Sequence, residues 1–374
     1  MFERFLEPLI DTCFAFSVEG TGGNPAAVMV SKTESTQAIS LAKTTASLRG
    51  METTLVVPSS QANHLAKLRF FVPNAEMAMC GHGTLAAVAK LHQLGMAGLG
   101  DHSVETQAAV FALQVGEKEG RTAVDMLTTD NKITHVLQRQ DIQELDRISG
   151  LEIADTVAVF LGGNVRPKTY IEVTDGCLDH IQPTSSQVQS ICDAHATTGI
   201  YIFSQRASPS YNHIEARHFP CGGGLYEDAA TGVAAGGLAC HLTGRLQDLD
   251  TFKIYQGRAM GNCSRLNVRR GDGPGEWWVG GMVRQACDAL IAPVMLDKVI
   301  LDTMRGVTGE EPPRLEDDAT LVSILGLSSM QIALLLSEIG DALTLNLFET
   351  PRFLQGRIRT LGDIKAAVRE TWER

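Results

Sequence analysis

The sequence predicts an α+β protein built from two related lobes, followed by a small helical module. Three observations carry that expectation. Over residues 1 to about 290, short segments rich in β-branched and aromatic residues alternate with helix-like stretches. A strand–loop–helix motif occurs twice within that span. From about residue 295 onward, amphipathic helical patterns take over and strand signal fades.

Taken in order, Val28–Val30, Thr54–Val57 and Leu68–Val72 read as strands of the first half, with helices at Ser35–Ser47 and Thr84–Leu94. In the second half Val157–Leu161, Thr169–Val173 and Gly199–Phe203 read as strands, Gly232–Leu242 as a helix, and Trp277–Val283 as a closing strand. Beyond it, helices are expected at Met295–Met304, Ser328–Ile339 and Leu361–Trp372. The stretch Gly306–Asp318 is polar and rich in Gly, Pro and acid, as a linker or long loop would be. The domain boundaries expected are 1–125, 126–294 and 295–374.

The repeat pairs Phe71-Val72-Pro73…Cys80-Gly81-His82-Gly83-Thr84 with Phe219-Pro220…Glu227-Asp228-Ala229-Ala230-Thr231-Gly232. In each copy a Thr follows the Pro by eleven positions, and an Ala-rich stretch follows the Thr. Each copy therefore opens a helix whose unpaired N–H groups and positive dipole suit a carboxylate or oxyanion. Two such units facing each other would form one cleft between two lobes. The alternative is chance recurrence of Ala-rich helices.

Composition excludes several classes. A formal net charge of −11 argues against nucleic acid or an anionic membrane surface as the main partner. The eight cysteines are scattered without a C-x-x-C pair, so reduced thiols in a cytoplasm are expected, with neither zinc knuckle nor disulfide framework. The N-terminus lacks the basic start and apolar core of a signal peptide, and no uncharged apolar run approaches the roughly 18 residues that span a bilayer. There is no P-loop, no G-x-G-x-x-G after a strand, no H-E-x-x-H and no G-x-S-x-G. The Gly-rich strings Cys221–Gly224 and Gly271–Gly275 lack nucleotide-binding spacing and read as loops.

What remains are acid–base groups beside small-residue turns: Glu52 before an apolar strand, His82 in the first repeat and Asp228 in the second. A carboxylate beside apolar neighbours is expected to have its pKa raised by desolvation. Singly, such residues are more often a solvated cap or a structural histidine.

Gly23-Asn24-Pro25-Ala26-Ala27-Val28, Met51-Glu52-Thr53, Phe71-Val72-Pro73 with Glu76 and Cys80–Leu85, Glu227-Asp228 with Ala230-Thr231-Gly232, and Gln256-Gly257 with Met260-Gly261 occur in that order. Together they resemble the PhzF-like family of phenazine biosynthesis, over roughly residues 8 to 285. The resemblance implies a diaminopimelate-epimerase-like fold, with two α/β lobes each wrapped around a central helix. It implies Glu52 as general acid/base, His82 and Asp228 as the other catalytic positions, and substrate binding by Asn24, Gly81, Gly83, Thr84, Thr231, Gly232 and Val233. It also implies a homodimer, and chemistry without pyridoxal phosphate, NAD or metal. The segment Asn74–Gly81 is similar as well to the one holding a cysteine acid/base in diaminopimelate epimerase. The second lobe offers Asp228 at about the partner's place, which disfavours a two-thiol racemase. Three positions depart from the family: Met51 and Val233 stand where Ser is common, and Asn262-Cys263 where Arg-Pro is common. Each replaces a polar or charged contact by a neutral one.

Asp317–Leu321, Leu325–Met330, Asn346–Pro351 and Thr360–Ile364 resemble an acyl or peptidyl carrier protein over about residues 298–374. That resemblance implies phosphopantetheine on Ser329, installed by a phosphopantetheinyl transferase. Ser328 stands where Asp is usual, and Arg352–Arg359 splits the usual Pro-Thr-Leu. The plain alternative is that Ser328 caps a helix whose first turn holds Ser329. The expectation is thus a cytoplasmic, cofactor-independent isomerase or epimerase acting on a carrier-tethered acyl or aminoacyl thioester in secondary-metabolite assembly, alongside biosynthetic synthase partners. Two rivals are an isomerase fed a free small molecule, with the carrier used for recruitment, and an inactive isomerase-like scaffold presenting a carrier.

Overall fold

The structure is a computed structural model. It describes residues 2, 9–73, 75–118, 120–129, 131–138, 145, 148–163, 166–205, 213–222, 227–245, 250–285, 300, 303–309, 320–322, 326–343 and 347–372. By packing, these fall into two units: residues 1–34 with 51–286, and residues 35–50 with 287–374.

The first unit is mixed α/β. Its sixteen strands are β1 (Leu9–Ser17), β2 (Asn24–Val30), β3 (Thr53–Val57), β4 (Ala66–Val72), β5 (Ala75–Met77), β6 (Gly100–Glu105), β7 (Val110–Lys118), β8 (Arg121–Thr128), β9 (Lys132–Leu137), β10 (Thr156–Gly163), β11 (Lys168–Val173), β12 (Gly199–Gln205), β13 (His213–Pro220), β14 (Thr251–Gln256), β15 (Ser264–Arg270) and β16 (Trp277–Gln285). Its helices are α2 (Gly81–Gln93), α3 (Ser185–His195) and α4 (Gly232–Arg245); α1 (Thr36–Arg49) belongs with the second unit.

The sixteen strands found among the described residues join one sheet, ordered β1-β2-β3-β4-β6-β7-β8-β16-β15-β14-β13-β12-β11-β10-β9, with β5 pairing β4. The order hides a repeat. In both halves an antiparallel pair leads through a helix to a parallel neighbour, then through a second helix to another: β2 to β3 and β4 to β6 in the first, β11 to β12 and β13 to β14 in the second. Parallel neighbours need such crossovers. The sequence repeat is thus the β4–α2 and β13–α4 step of each half. One edge of β16 pairs β15 through Trp277–Gly280 and β1 through Met282–Gln285, and its other edge pairs β8. The first half thereby closes around α2.

The two central helices are small-residue helices because they are enclosed. Every residue of α2 from Gly81 to Leu91 is buried, the pattern of a helix with no solvent face. In α4 a Cβ on Gly236 would lie 2.5 Å from Asn131 Oδ1, and one on Gly237 would lie 2.3 Å from the Tyr170 hydroxyl. Neither position admits a side chain without displacing its neighbour.

Each strand and helix expected in the first unit is present, most of them one to four residues longer. The first domain boundary, 125/126, falls within β8. Helix α2 begins at Gly81, three residues before the expected Thr84, so His82 sits in its first turn. The cap position is Cys80, whose side chain makes no capping bond, so the usual Ser/Thr/Asp start signal is missing. Strands β1, β5–β9, β14 and β15, and helix α3 with its Thr184–Gln187 capping box, were not expected. β9 exposes most of its residues and shows no clean alternation.

The second unit packs Ile300, Met304, Leu321, Leu327, Leu335, Leu336, Ile339, Leu347, Leu361, Ile364 and Val368 into one core, with Leu48 of α1 against it. Its helices α5 (Ser329–Leu343) and α6 (Leu361–Trp372) match the expected amphipathic segments. Residues 295–299, 301–302 and 310–318, which carry most of the expected first helix and linker, and the boundary near 295 lie outside the described residues. No described helix is long and apolar enough to cross a membrane.

Candidate active site

Glu52 lies in the two-residue step between the left-handed C-cap Gly50 of α1 and the start of β3. Its carbonyl accepts the Ala27 N–H at 2.8 Å, which ties it to β2. Its side chain is 15% exposed, and Oε2 stands 3.5 Å from His82 Nε2. The other ring nitrogen of His82 lies 3.5 Å from Cys80 Sγ. The same sulfur is 3.7 Å from Nε2, so the imidazole, in the first turn of a buried helix, has the thiol against both ring nitrogens and the carboxylate at Nε2.

Close approach makes this possible. A Cβ on Gly83 would lie 2.6 Å from Thr54 Oγ1 and 3.1 Å from Cys80 Sγ, so the helix end reaches β3 only because residue 83 is glycine. Thr84 is fully buried, and its hydroxyl donates to the Cys80 carbonyl at 2.8 Å. It braces the turn rather than facing a cleft. The first N–H groups of α2, at Gly81, His82 and Gly83, have no intrahelical acceptor.

Asp228 is anchored at both oxygens. Asn24 Nδ2 donates to Oδ1 at 2.7 Å and to the Ala230 carbonyl at 2.9 Å. The Thr231 hydroxyl donates to Oδ2 at 2.6 Å. Gln256 Nε2 donates to the Asp228 carbonyl at 2.7 Å, and the Asp228 N–H donates to the His218 carbonyl. The flanking residues lock the same segment: Arg217 pairs Glu227 through two bonds of 2.9 and 2.7 Å. Gly232 is buried and Val233 half-buried at the start of α4. Thr231 therefore serves Asp228 through its side chain.

The charges follow from these contacts. Burial alone would raise the Glu52 carboxyl, but the charge and hydrogen bond of His82 outweigh it and hold Glu52 below the usual glutamate range. The raised pKa expected from the sequence is therefore reversed, because the apolar-neighbour argument did not include an imidazole at contact distance. Burial opposes charge on His82, but the adjacent Cys80 and Glu52 raise it well above an ordinary histidine. Asp228 resists burial through His218, His82 and Thr231 and drops to about 2. Burial pushes His218 down to about 4 and Lys168 down to about 7. The site at neutral pH is two carboxylates and one imidazolium, beside a neutral histidine.

The departure at Asn262 has a structural role. Its Nδ2 donates to the Gly23 carbonyl at 2.8 Å, and Gly23 N–H donates to the Cys263 carbonyl at 3.2 Å. A Cβ on Gly22 would lie 2.0 Å from the Cys263 oxygen. This loop braces the turn that delivers Asn24 to Asp228. Sequence reasoning missed Asn262 in that role, as it missed His218, Tyr201 and the Arg217–Glu227 pair. Gln256 was visible only as part of a motif. A buried Arg-His dipeptide just before the repeat's Phe-Pro was the one available signal.

A carboxylate beside an imidazole at a helix N-terminus, both within the electrostatic reach of an anchored carboxylate from the repeated unit, is an arrangement able to move protons. Residues 13–281 match the phenazine biosynthesis-like protein family, PhzC-PhzF, and the chain belongs to that family. It is similar to the uncharacterized isomerase YfhB of Bacillus subtilis strain 168, with 22% identity over 271 residues, 70% of this chain and 90% of the relative. Among solved structures, the PhzF-family phenazine biosynthesis protein of Bacillus anthracis superposes with a TM-score of 0.66 at 21% identity, over 75% of this chain and 98% of its own. A probable proline racemase from Agrobacterium radiobacter K84 shares the fold at a TM-score of 0.51 and 13% identity, over 77% and 95%. The family match stops short of the second unit's C-terminal segment.

Proposed function

We propose that the protein is a cofactor-independent isomerase or epimerase that moves a proton at a carbon beside a carbonyl. Glu52, already a carboxylate, takes the hydrogen from carbon, and the bonding pair moves onto the carbonyl oxygen. The His82 imidazolium and the open N–H groups of α2 meet that oxyanion. Glu52, now protonated, returns the proton to the conjugated carbon, which restores the starting charges; where His82 instead delivers its proton to the other face, the proton left on Glu52 passes to the neutral imidazole across the 3.5 Å contact, which restores them. Asp228 binds and orients the substrate, since a carboxylate held so firmly is a poor base. The observation that carries the reading is the Glu52–His82 contact at 3.5 Å in a nearly closed first turn.

A carboxylate below the ordinary range is a weak base for a carbon acid, so the substrate's own acidity matters. A thioester has a more acidic α-proton than a carboxylate, and it carries no charge at that end. The neutral residues Met51, Val233 and Asn262 suit it. We therefore place the substrate as an acyl or aminoacyl thioester on phosphopantetheine at Ser329, loaded after a phosphopantetheinyl transferase has acted. Ser329 is exposed at the first position of α5, beside Met330, which is 81% exposed. Ser328 caps that helix: its hydroxyl accepts the Gln331 N–H at 3.3 Å, and its own N–H donates to Gln331 Oε1 at 3.0 Å. The capping bond is made by Ser328, which leaves the Ser329 hydroxyl for a covalent group.

Two measurements test this. Acyl- and aminoacyl-pantetheine thioesters incubated with enzyme in D2O take up deuterium at the carbon beside the carbonyl, and Glu52→Gln slows uptake by at least a hundredfold. Uptake no faster than without enzyme, in the parent and in Glu52→Gln alike, would leave the scaffold reading. Treatment with a phosphopantetheinyl transferase and coenzyme A adds one arm to the protein and none to Ser329→Ala. No addition removes the carrier and leaves an isomerase of free small molecules.

A further inference from the structure

His218, on β13, takes no part in the proton path above, yet it is fully enclosed and touches the group that fixes Asp228. Its Nδ1 lies 2.9 Å from Thr231 Oγ1 and 3.5 Å from Asp228 Oδ2. Its Nε2 is buried without a hydrogen-bond partner among the described residues. That nitrogen faces Gly199, where an added Cβ would lie 2.5 Å away.

The hydrogens of this cluster follow by elimination. Gln256 Oε1 accepts the Tyr201 hydroxyl at 3.2 Å and the Thr231 N–H at 3.3 Å. Its Nε2 must then be the donor to Thr231 Oγ1 at 3.1 Å. The Thr231 hydroxyl has a single hydrogen, and the 2.6 Å contact to the Asp228 carboxylate uses it. Thr231 Oγ1 can only accept from His218, and both neighbours of Nδ1 are then acceptors. A hydrogen on Nε2 instead would be a buried donor without acceptor, while leaving Nδ1 to face two oxygens with a lone pair.

We infer that His218 is a positioning residue locked in the neutral Nδ1–H form, whose one hydrogen bond holds the Thr231 hydroxyl on Asp228. The inference rests on the proton-transfer reading of the site and adds a residue to it. His218 meets Asp228 and Thr231 from the loop before α4, Tyr201 from β12, and the charges of Lys168 on β11 and of Arg166 before it. The two cations oppose a second proton on the ring and Asp228 favours it, while burial against Gly199 decides the balance.

The decisive measurement is 15N NMR of histidine-labelled protein, with His218→Asn to assign the signals. A protonated-type Nδ1 and an unprotonated-type Nε2 for His218, unchanged from pH 8 to pH 5, are expected. The Nε2–H form, or a ring that titrates in that range, overturns the inference. The second readout is the acid limb of the deuterium-uptake profile. His218→Leu removes the N–H that fixes Thr231 Oγ1, loosens the bond of the Thr231 hydroxyl to Asp228 and moves that limb up by about one to two pH units. His218→Asn, whose amide N–H reaches about where Nδ1–H does, keeps it within half a unit of the parent. Equal shifts in both variants also overturn it. If the parent takes up deuterium no faster than the substrate alone, the isomerase reading fails while the tautomer result stands on its own.

Discussion

Replacing Arg217 by leucine removes the clamp that joins the His218 strand to the Asp228 loop. The guanidinium makes four bonds: to Glu227 at 2.9 and 2.7 Å, and to the carbonyls of Leu178 and Ile181 at 2.8 and 2.5 Å. Both side chains are more than nine-tenths buried. In Arg217→Leu the Glu227 carboxylate stays inside with no countercharge, and two carbonyls lose their donor. Breaking one side of such a buried pair costs about 3–5 kcal/mol, and the packed stem of leucine returns little of it. Urea unfolding followed by the fluorescence of the buried Trp277 reads the transition of the first unit. With a slope of about 3 kcal/mol per molar, the midpoint should fall by about 1–1.7 M. Replacing both residues, Arg217→Leu with Glu227→Leu, removes the stranded charge and should recover half or more of the loss. A single variant within about 1 kcal/mol of the parent, or a double variant equal to the sum of the singles, would refute the clamp.

Three further outcomes follow from the same contacts. His218 ionises near 6.5 when unfolded and at about 4 when folded, so its contribution is full above 6.5 and lost as the pH falls to 4. Each pH unit in that window costs about 1.4 kcal/mol, about 3 kcal/mol in all, and urea titrations of His218→Asn should lack that loss. Asp228, depressed to about 2, holds stability present above about 4 and lost as the pH falls toward 2, so Asp228→Asn should flatten unfolding curves between those values. Gly83→Val drives a branched side chain onto Thr54 and Cys80, and should cost about 1–3 kcal/mol in the same unfolding assay. An unchanged midpoint would mean that the helix end is not held against β3.

Legibility in the sequence tracked periodicity and repetition. The Phe-Pro to Thr-Gly spacing exposed the β4–α2 and β13–α4 steps because both must solve one problem, a helix end brought close to a sheet. Strands such as Lys168–Val173 and Gly199–Gln205 were visible through their β-branched and aromatic residues, although burial of the first also encloses Lys168, Thr169 and Glu172. Arg121–Thr128 and Ser264–Arg270 were not, since residues such as Arg121, Thr122, Arg265 and Arg269 read as loop until a paired neighbour is known. Glu52 and Asp228 were found through their neighbours in sequence. Their charge states were not, because His82 is thirty residues from Glu52 in the chain and at contact distance in space. Likewise the bond from Asn24 to Asp228 spans 204 residues, beyond any local pattern.

In the proposed reaction the two halves of the site divide the work by how tightly each carboxylate is held. Asp228 takes hydrogen bonds on both oxygens from Asn24 and Thr231, and its main chain is fixed by His218 and Gln256. A proton arriving there must displace a bond, so the residue is suited to constant charge. Glu52 has a single ionic partner at 3.5 Å, a distance that weakens the contact relative to a 2.7 Å bond and leaves the carboxylate free to turn toward a substrate. Among the described residues its partner His82 is otherwise met by the Cys80 thiol, at 3.5 Å from Nδ1 and 3.7 Å from Nε2. Loose contacts around Glu52 and His82 permit proton movement, and tight ones around Asp228 permit orientation. If Cys80→Ser shortened and strengthened the contact to His82, it should slow deuterium uptake while leaving the unfolding midpoint within about 1 kcal/mol of the parent, since the looseness rather than the fold would have changed.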